Sequence, residues 1–197
     1  MKTVLLALCA ALVCGTAQAQ VKDTSFRDAE GHRVQQLELT VNATPAKVWE
    51  AFTTDKGFSG WAVPVTHITL GNGGMMESSY SLNGKIGDPD NIRNEIVAYV
   101  PEHLLVIHNV HVPKGAPFDP AFIGQIRTVI EIDDLGGGRT RIVESGVGYG
   151  DGPGFDTLYK HFSAGNAEEF SGLAKYLVSG PVDWKAELAP VTASVKK

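Results

Sequence analysis

Beyond Cys14 the chain contains no cysteine. That stretch therefore holds no disulfide, no thiolate metal ligand and no cysteine nucleophile. Positive charge is also in short supply: 17 Lys and Arg face 22 Asp and Glu, for a formal net charge of -5. Such a chain repels nucleic acid and anionic membrane surfaces on average. The basic residues are scattered, Arg139 and Arg141 being the closest arginine pair, so no nucleic-acid partner is expected. There is no H-E-x-x-H motif, and the glycine-rich stretch at 150–154 lacks the Gly-Lys-Ser/Thr of a phosphate loop. No cofactor is expected.

Long apolar runs are equally scarce. One spans 4–14, preceded by Lys2 and followed by Ala17-Gln18-Ala19. A positive start, an apolar run and an A-x-A site form the pattern of a secretory signal peptide, here 1–19 with Gln20 first in the mature chain. The run is too short for an ordinary transmembrane helix. Leu8 and Val13 stand where a small residue would precede a lipidated Cys9 or Cys14, which disfavours the alternative of a lipid-anchored N-terminus. A periplasmic or secreted location is expected. Of 197 residues, removal of 19 leaves 178, enough for one domain with a sizeable core.

Residues 20–32 are polar and read as an N-terminal tail. From Arg33 to Val41, Val34, Leu37, Leu39 and Val41 suggest a strand with one wet face. Thr44-Pro45 then supplies a cap and a first helical residue, with Val48, Trp49 and Phe52 as the apolar stripe. Strands are expected over 63–70, 75–82, 92–100, 103–112, 122–133 and 140–148, joined by short links. That pattern argues for one antiparallel sheet. A long helix is expected over 155–178, carrying Leu158, Phe162, Phe170, Leu173 and Leu177, with a bend or weak turn at Gly165. Gly180-Pro181 stops it, Trp184 tucks back onto the body, and 181–197 is a C-terminal tail, frayed from Ala186. The apolar face of such a sheet must be covered. A sheet gripping one helix leaves room for a cavity that suits a small apolar ligand.

Two separated segments carry a family resemblance. Val41, Pro45, Val48, Trp49, Phe52, Thr53 and Trp61 in the first, and Phe162, Gly165, Asn166, Leu173, Leu177 and Gly180 in the second, resemble START-like (SRPBCC) helix-grip domains. The branch they resemble is the one named after activators of a heat-shock chaperone ATPase. The resemblance covers 33–180 and implies an α+β, Bet v 1-like fold: a curved antiparallel sheet around a long C-terminal helix. It also implies a hydrophobic cavity beneath that helix. Members include lipid and hormone carriers, polyketide cyclases, stress proteins and chaperone-ATPase stimulators. ATPase activation is not carried over, because an exported chain is separated from that chaperone and from ATP.

Several residues stand between a cavity role and a structural one. Trp61 either faces the cavity or plugs the core. His108 and His111 point to opposite faces of a regular strand, so they do not readily share one ion, and no metal site is expected. Each is either a polar ligand contact or a satisfied histidine. Arg127 and Glu144 are either cross-strand surface charges or internal groups: Arg127 for a carboxylate or enolate, Glu144 as a donor's partner or a base. The proline-containing segment 112–121, with Phe118, suggests a rim or lid. Tyr149 and Phe155 are placed near a cavity entrance, one of Tyr159 and His161 faces inward, and Phe162 faces the sheet.

These residues support a noncatalytic protein that holds a small hydrophobic or amphipathic molecule. A cyclase-, isomerase- or hydrolase-like enzyme using the same cavity, with Glu144, His108, His111 or Tyr149 as acid or base, is a second reading. A protein-interaction module resembling a chaperone regulator is a third. Monomer and homodimer both remain open.

Overall fold

The computed structural model describes residues 20–189. The signal peptide expected at 1–19 and the end of the expected C-terminal tail lie outside the described residues. Seven substantial strands follow the sequence pattern: β3 (Arg33–Val41), β4 (Val65–Thr69), β5 (Gly74–Ser79), β6 (Ile92–Val100), β7 (Leu104–His111), β8 (Arg127–Gly136) and β9 (Arg139–Tyr149). Two short strands, β1 (Lys22–Asp23) and β2 (Phe26–Arg27), precede them. All nine form one antiparallel sheet in the order β1-β3-β9-β8-β7-β6-β5-β4, with β2 also paired to β3. The helices are α1 (Pro45–Thr53), α2 (Asp55–Ser59), α3 (Pro120–Ile123), α4 (Pro153–Ser179) and α5 (Trp184–Glu187). The curved sheet packs against α4, which is the helix-grip architecture.

Alternation along the strands decides what faces α4. Leu37, Leu39 and Val41 of β3, Ile130 and Ile132 of β8, and Ile142 of β9 join Leu105, Ile96 and Met76 in one core. From the helix, Phe170 and Leu173 complete that core with no exposed surface. Burying each such side chain contributes about 1.5–3 kcal/mol. Thr44 Oγ1 accepts from Lys47 N at 3.3 Å to start α1, with Pro45 in the first turn. Thr54 then caps α2 by accepting from Gly57 N at 2.9 Å, which turns the chain sharply toward Trp61.

Six local expectations change. Gln35, not Val34, shares the inward parity of Leu37 and Leu39, and the register shift opposite Arg33 and Gln35 places one extra residue in β9 between Gly146 and Tyr149. Residues 20–32 add β1 and β2 to the sheet edge. The strand expected at 122–133 starts only at Arg127, because Asp119 caps a helical turn by accepting from Ala121 N at 2.8 Å and Pro120 favours its first position. Strand β5 ends at Ser79, leaving Tyr80 in the loop that follows. Helix α4 runs 27 residues without a break at Gly165, since buried residues on both sides hold it to the body. Beyond it, Trp184 Nε1 donates to Ser59 O at 2.6 Å, and Ala186 and Glu187 belong to the turn of α5.

Candidate functional site

Between the sheet and α4 lies a cavity of about 420 Å³. That is within the range of small-molecule sites. Its floor follows from strand register. Gln35 pairs with Gly146, Gly146 with Thr128, and Thr128 with Ile107, a row crossing β3, β9, β8 and β7. The adjacent row runs Leu37, Glu144, Ile130 and Leu105. Side chains two apart share a face, so Glu144 projects inward with Ile142 and Gly146. Gly146 leaves space: a Cβ there would sit 3.1 Å from the Tyr149 ring and 3.2 Å from Gln35 Oε1. Residues from Val112 to Phe118 form one rim.

Most of the wall is apolar, and a small polar group is set into it. Asn166 Nδ2 on α4 donates to Glu144 Oε1 at 2.6 Å and lies 3.5 Å from Gln35 Oε1. Tyr149 Oη donates to the same Gln35 oxygen at 3.2 Å. The amide nitrogen of Gln35, a residue 2% exposed, finds no acceptor among the described residues. One helical turn beyond Asn166, Glu169 accepts from Tyr80 Oη at 2.5 Å. Asn109 Nδ2 donates to Asn94 Oδ1 at 3.0 Å on the opposite side of the cavity.

Burial dominates the electrostatics of this group. It pushes the Glu144 carboxyl up to about 8; the neighbouring Glu169 charge adds to the rise and the Asn166 hydrogen bond opposes it. The accessible surface that Glu144 retains is cavity surface, not bulk surface. Glu169 is raised as well, first by burial, with the Tyr80 hydrogen bond opposing and the Glu168 charge adding. Burial, then the Glu144 and Tyr159 charges, raise the Tyr149 hydroxyl, and Arg33 opposes them. The site can thus hold a proton near neutral pH, donate through amides and accept through carboxyl oxygens.

Of the residues singled out from sequence, Trp61, Phe118, Glu144, Tyr149 and Phe162 line the cavity. Trp61 also plugs the core: its Nε1 donates to Ala51 O at 3.0 Å, and Phe52 and Phe58 meet its ring edge-on. The other five lie elsewhere. His108 pairs with Arg127 on the face away from α4, where alternation puts both opposite to Ile107 and Thr128. His108 Nε2 meets Gly124 O at 2.7 Å, and Arg127 Nη1 donates to Gly124 O and Ile126 O. His111 Nδ1 is 2.8 Å from Asn91 O. Phe155 packs edge-on against Phe122 in a second core. Tyr159 meets the Tyr149 ring edge-on, with the Arg33 guanidinium 5.2 Å from its own ring centre. His161, one of the pair left open, lines the cavity beside Phe118.

The structure adds Gln35, Tyr80, Asn166 and Glu169 to the cavity residues expected from sequence. Three carried a readable signal. Gln35 shares parity with Leu37, while Asn166 and Glu169 fall inside the stripe that runs from Phe162 to Phe170 and Leu173. A polar residue in an apolar stripe is the observation to weigh. Tyr80 carried none, because the loop that follows β5 decides its position.

Away from the cavity, Asp28, Glu30 and His32 bring potential ligand atoms within 4.8 Å of one another. Asp28 there accepts from Glu30 N, His32 N and the His32 ring, which a surface turn accounts for. No helix among the described residues is long and apolar enough to cross a membrane.

The family described as polyketide cyclase / dehydrase and lipid transport matches residues 33–177. No curated protein matches the chain significantly. Among solved structures, protein MLL2253 from Mesorhizobium loti is similar at a TM-score of 0.60 and 19% identity, over 76% of this chain and 100% of that one. CalU16 from Micromonospora echinospora is similar at 0.56 and 13% identity, over 90% and 94%. The Aha1 dimer from Colwellia psychrerythraea is similar at 0.55 and 14%, over 75% and 97%. At these identities the likeness is one of fold.

Proposed function

Because the chain belongs to the polyketide cyclase / dehydrase and lipid transport family, we propose that it is a noncatalytic carrier or sequestering protein for a small hydrophobic or amphipathic molecule. The observation that carries this reading is the cavity of about 420 Å³ with an apolar wall and a recessed polar group. Apolar transfer supplies affinity and the Glu144, Asn166 and Gln35 group orients the ligand. The signal pattern in the first 19 residues supports action in the periplasm or outside the cell. Within the superfamily, the segments around Trp49 to Trp61 and Phe162 to Gly180 support placement in the chaperone-ATPase-activator branch, without its activity. One observation favours a second, enzymatic reading: Glu144, pushed up to about 8 inside a cavity, suits proton transfer near neutral pH.

Binding of N-phenylnaphthylamine, followed by its fluorescence, tests the primary reading. The purified protein is expected to enhance the dye saturably. Thr128→Trp places a large ring on the cavity floor and is expected to weaken binding by about tenfold or more. Equal binding by a folded Thr128→Trp protein would place the dye outside the cavity and remove the support.

A further inference from the structure

The polar end of the cavity has an unusual balance of groups. Two carboxyls, Glu144 and Glu169, line it, and neither forms a salt bridge among the described residues. Each carboxyl has one oxygen engaged, by Asn166 and by Tyr80 respectively. Beside them the Gln35 carboxamide, 2% exposed, holds a buried Nε2 donor that finds no acceptor among the described residues. A buried donor without a partner costs about 1–3 kcal/mol. An occupant that supplies the missing acceptor relieves that cost.

The two demands lie side by side. Asn166 Nδ2 is 2.6 Å from Glu144 Oε1 and 3.5 Å from Gln35 Oε1, so one nitrogen bridges the carboxyl and the carboxamide. An occupant that satisfies both needs a donor, preferably cationic, for the open Glu144 oxygen and an adjacent oxygen acceptor for Gln35 Nε2. An anionic head group supplies the acceptor but offers no donor to the open Glu144 oxygen.

We propose that the cavity is built for an amphipathic amine with a hydroxyl or carbonyl oxygen on a neighbouring carbon, its ammonium on Glu144 and its oxygen on Gln35. This rests on the ligand-binding reading above and adds the head-group chemistry. The ammonium needs Glu144 as carboxylate, so association at neutral pH releases a proton from that carboxyl to solvent. The other titratable or charged groups around it are Glu169 and His161 of α4, Tyr149 of β9, Tyr80 after β5, and Lys114 on the rim. Amine affinity therefore rises with pH toward about 8, where Glu144 ionises. It levels off above that and falls once the amine loses its own proton.

The experiment is competition against N-phenylnaphthylamine by four probes with one tail: decylamine, decanol, decanoate and the vicinal amino alcohol of the same chain. The amino alcohol is expected to bind about tenfold or more tighter than decanoate, with decylamine and decanol between them. Glu144→Gln is expected to erase the advantage of both amines over decanol. Gln35→Met is expected to make the amino alcohol and decylamine equal. Each variant is checked for an unchanged melting curve, and either one alone suffices if the other is unfolded. Decanoate binding as well as the amino alcohol, or an amine preference that survives Glu144→Gln, would overturn the head-group assignment alone. Failure of the dye and all four probes to bind the wild-type protein would instead overturn the ligand-binding reading.

Discussion

Asn166 Nδ2 donates to Glu144 Oε1 at 2.6 Å, fastening the middle of α4 to β9 from inside the cavity. Among the described residues it is the one contact that lowers the Glu144 titration, against burial and the Glu169 charge. Asn166→Ala should therefore move the Glu144 midpoint further above about 8 and cost about 1 kcal/mol or more of stability. NMR titration of the glutamate carboxyl carbons and urea denaturation check both. An unchanged or lower midpoint would show that the amide does not act on the ionised form.

Glu144 also gives stability a direction with pH. Its ordinary value is 4.5 and its folded value about 8. Between those values the folded chain holds a proton that the unfolded chain has released, so stability falls as pH rises through this window. Glu169 is raised too and acts with the same sign. Glu144→Gln should flatten much of the decline and leave the variant more stable than wild type near pH 8. Urea midpoints measured across that range decide it; parallel curves for the two proteins would contradict the buried carboxyl.

Phe170 has no exposed surface and ties α4 to the main core. Phe170→Ala should cost about 3–5 kcal/mol by lost transfer energy and an unfilled void. Urea denaturation measures it, and a loss below 1 kcal/mol would mean that the helix seats elsewhere.

Gly148 adopts φ 99° inside β9, and a Cβ there would lie 2.4 Å from Gln125 O. Gly148→Ala should destabilise by about 2 kcal/mol or more, since strain and a backbone clash act together. Because Tyr149 follows it, dye affinity should drop as well; a fully stable variant with wild-type affinity would argue against this backbone.

Arg127 and His108 provide the contrast. Both lie on the sheet face away from α4 and contact Gly124 O. Arg127→Gln should leave dye binding and its pH dependence unchanged in a fluorescence titration, and a loss of binding would return Arg127 to the cavity.

Periodicity and punctuation made most of the framework legible. Alternation from Arg33 to Val41, the Thr44-Pro45 cap and the stripe from Leu158 to Leu177 depend on neighbours along the chain. So do the glycine-rich links. These local signals specify strands, helices and the need to cover one sheet face. They also narrow the chemistry, because absent cysteine after Cys14 and scarce basic charge are properties of composition.

Tertiary structure alone decided which polar residues meet. Glu144 and Arg127 read alike in sequence, each a charge in an apolar strand, but register gives them opposite faces of the sheet. The extra β9 residue opposite Arg33 and Gln35 brings Tyr149 to the Gln35 amide, and a loop delivers Tyr80 to Glu169. Such meetings join residues up to 131 positions apart, as for Asn166 and Gln35. Local propensity sets the face a residue presents within its own element; only the packing of α4 over the sheet sets what that face encounters, and whether the space between them stays open.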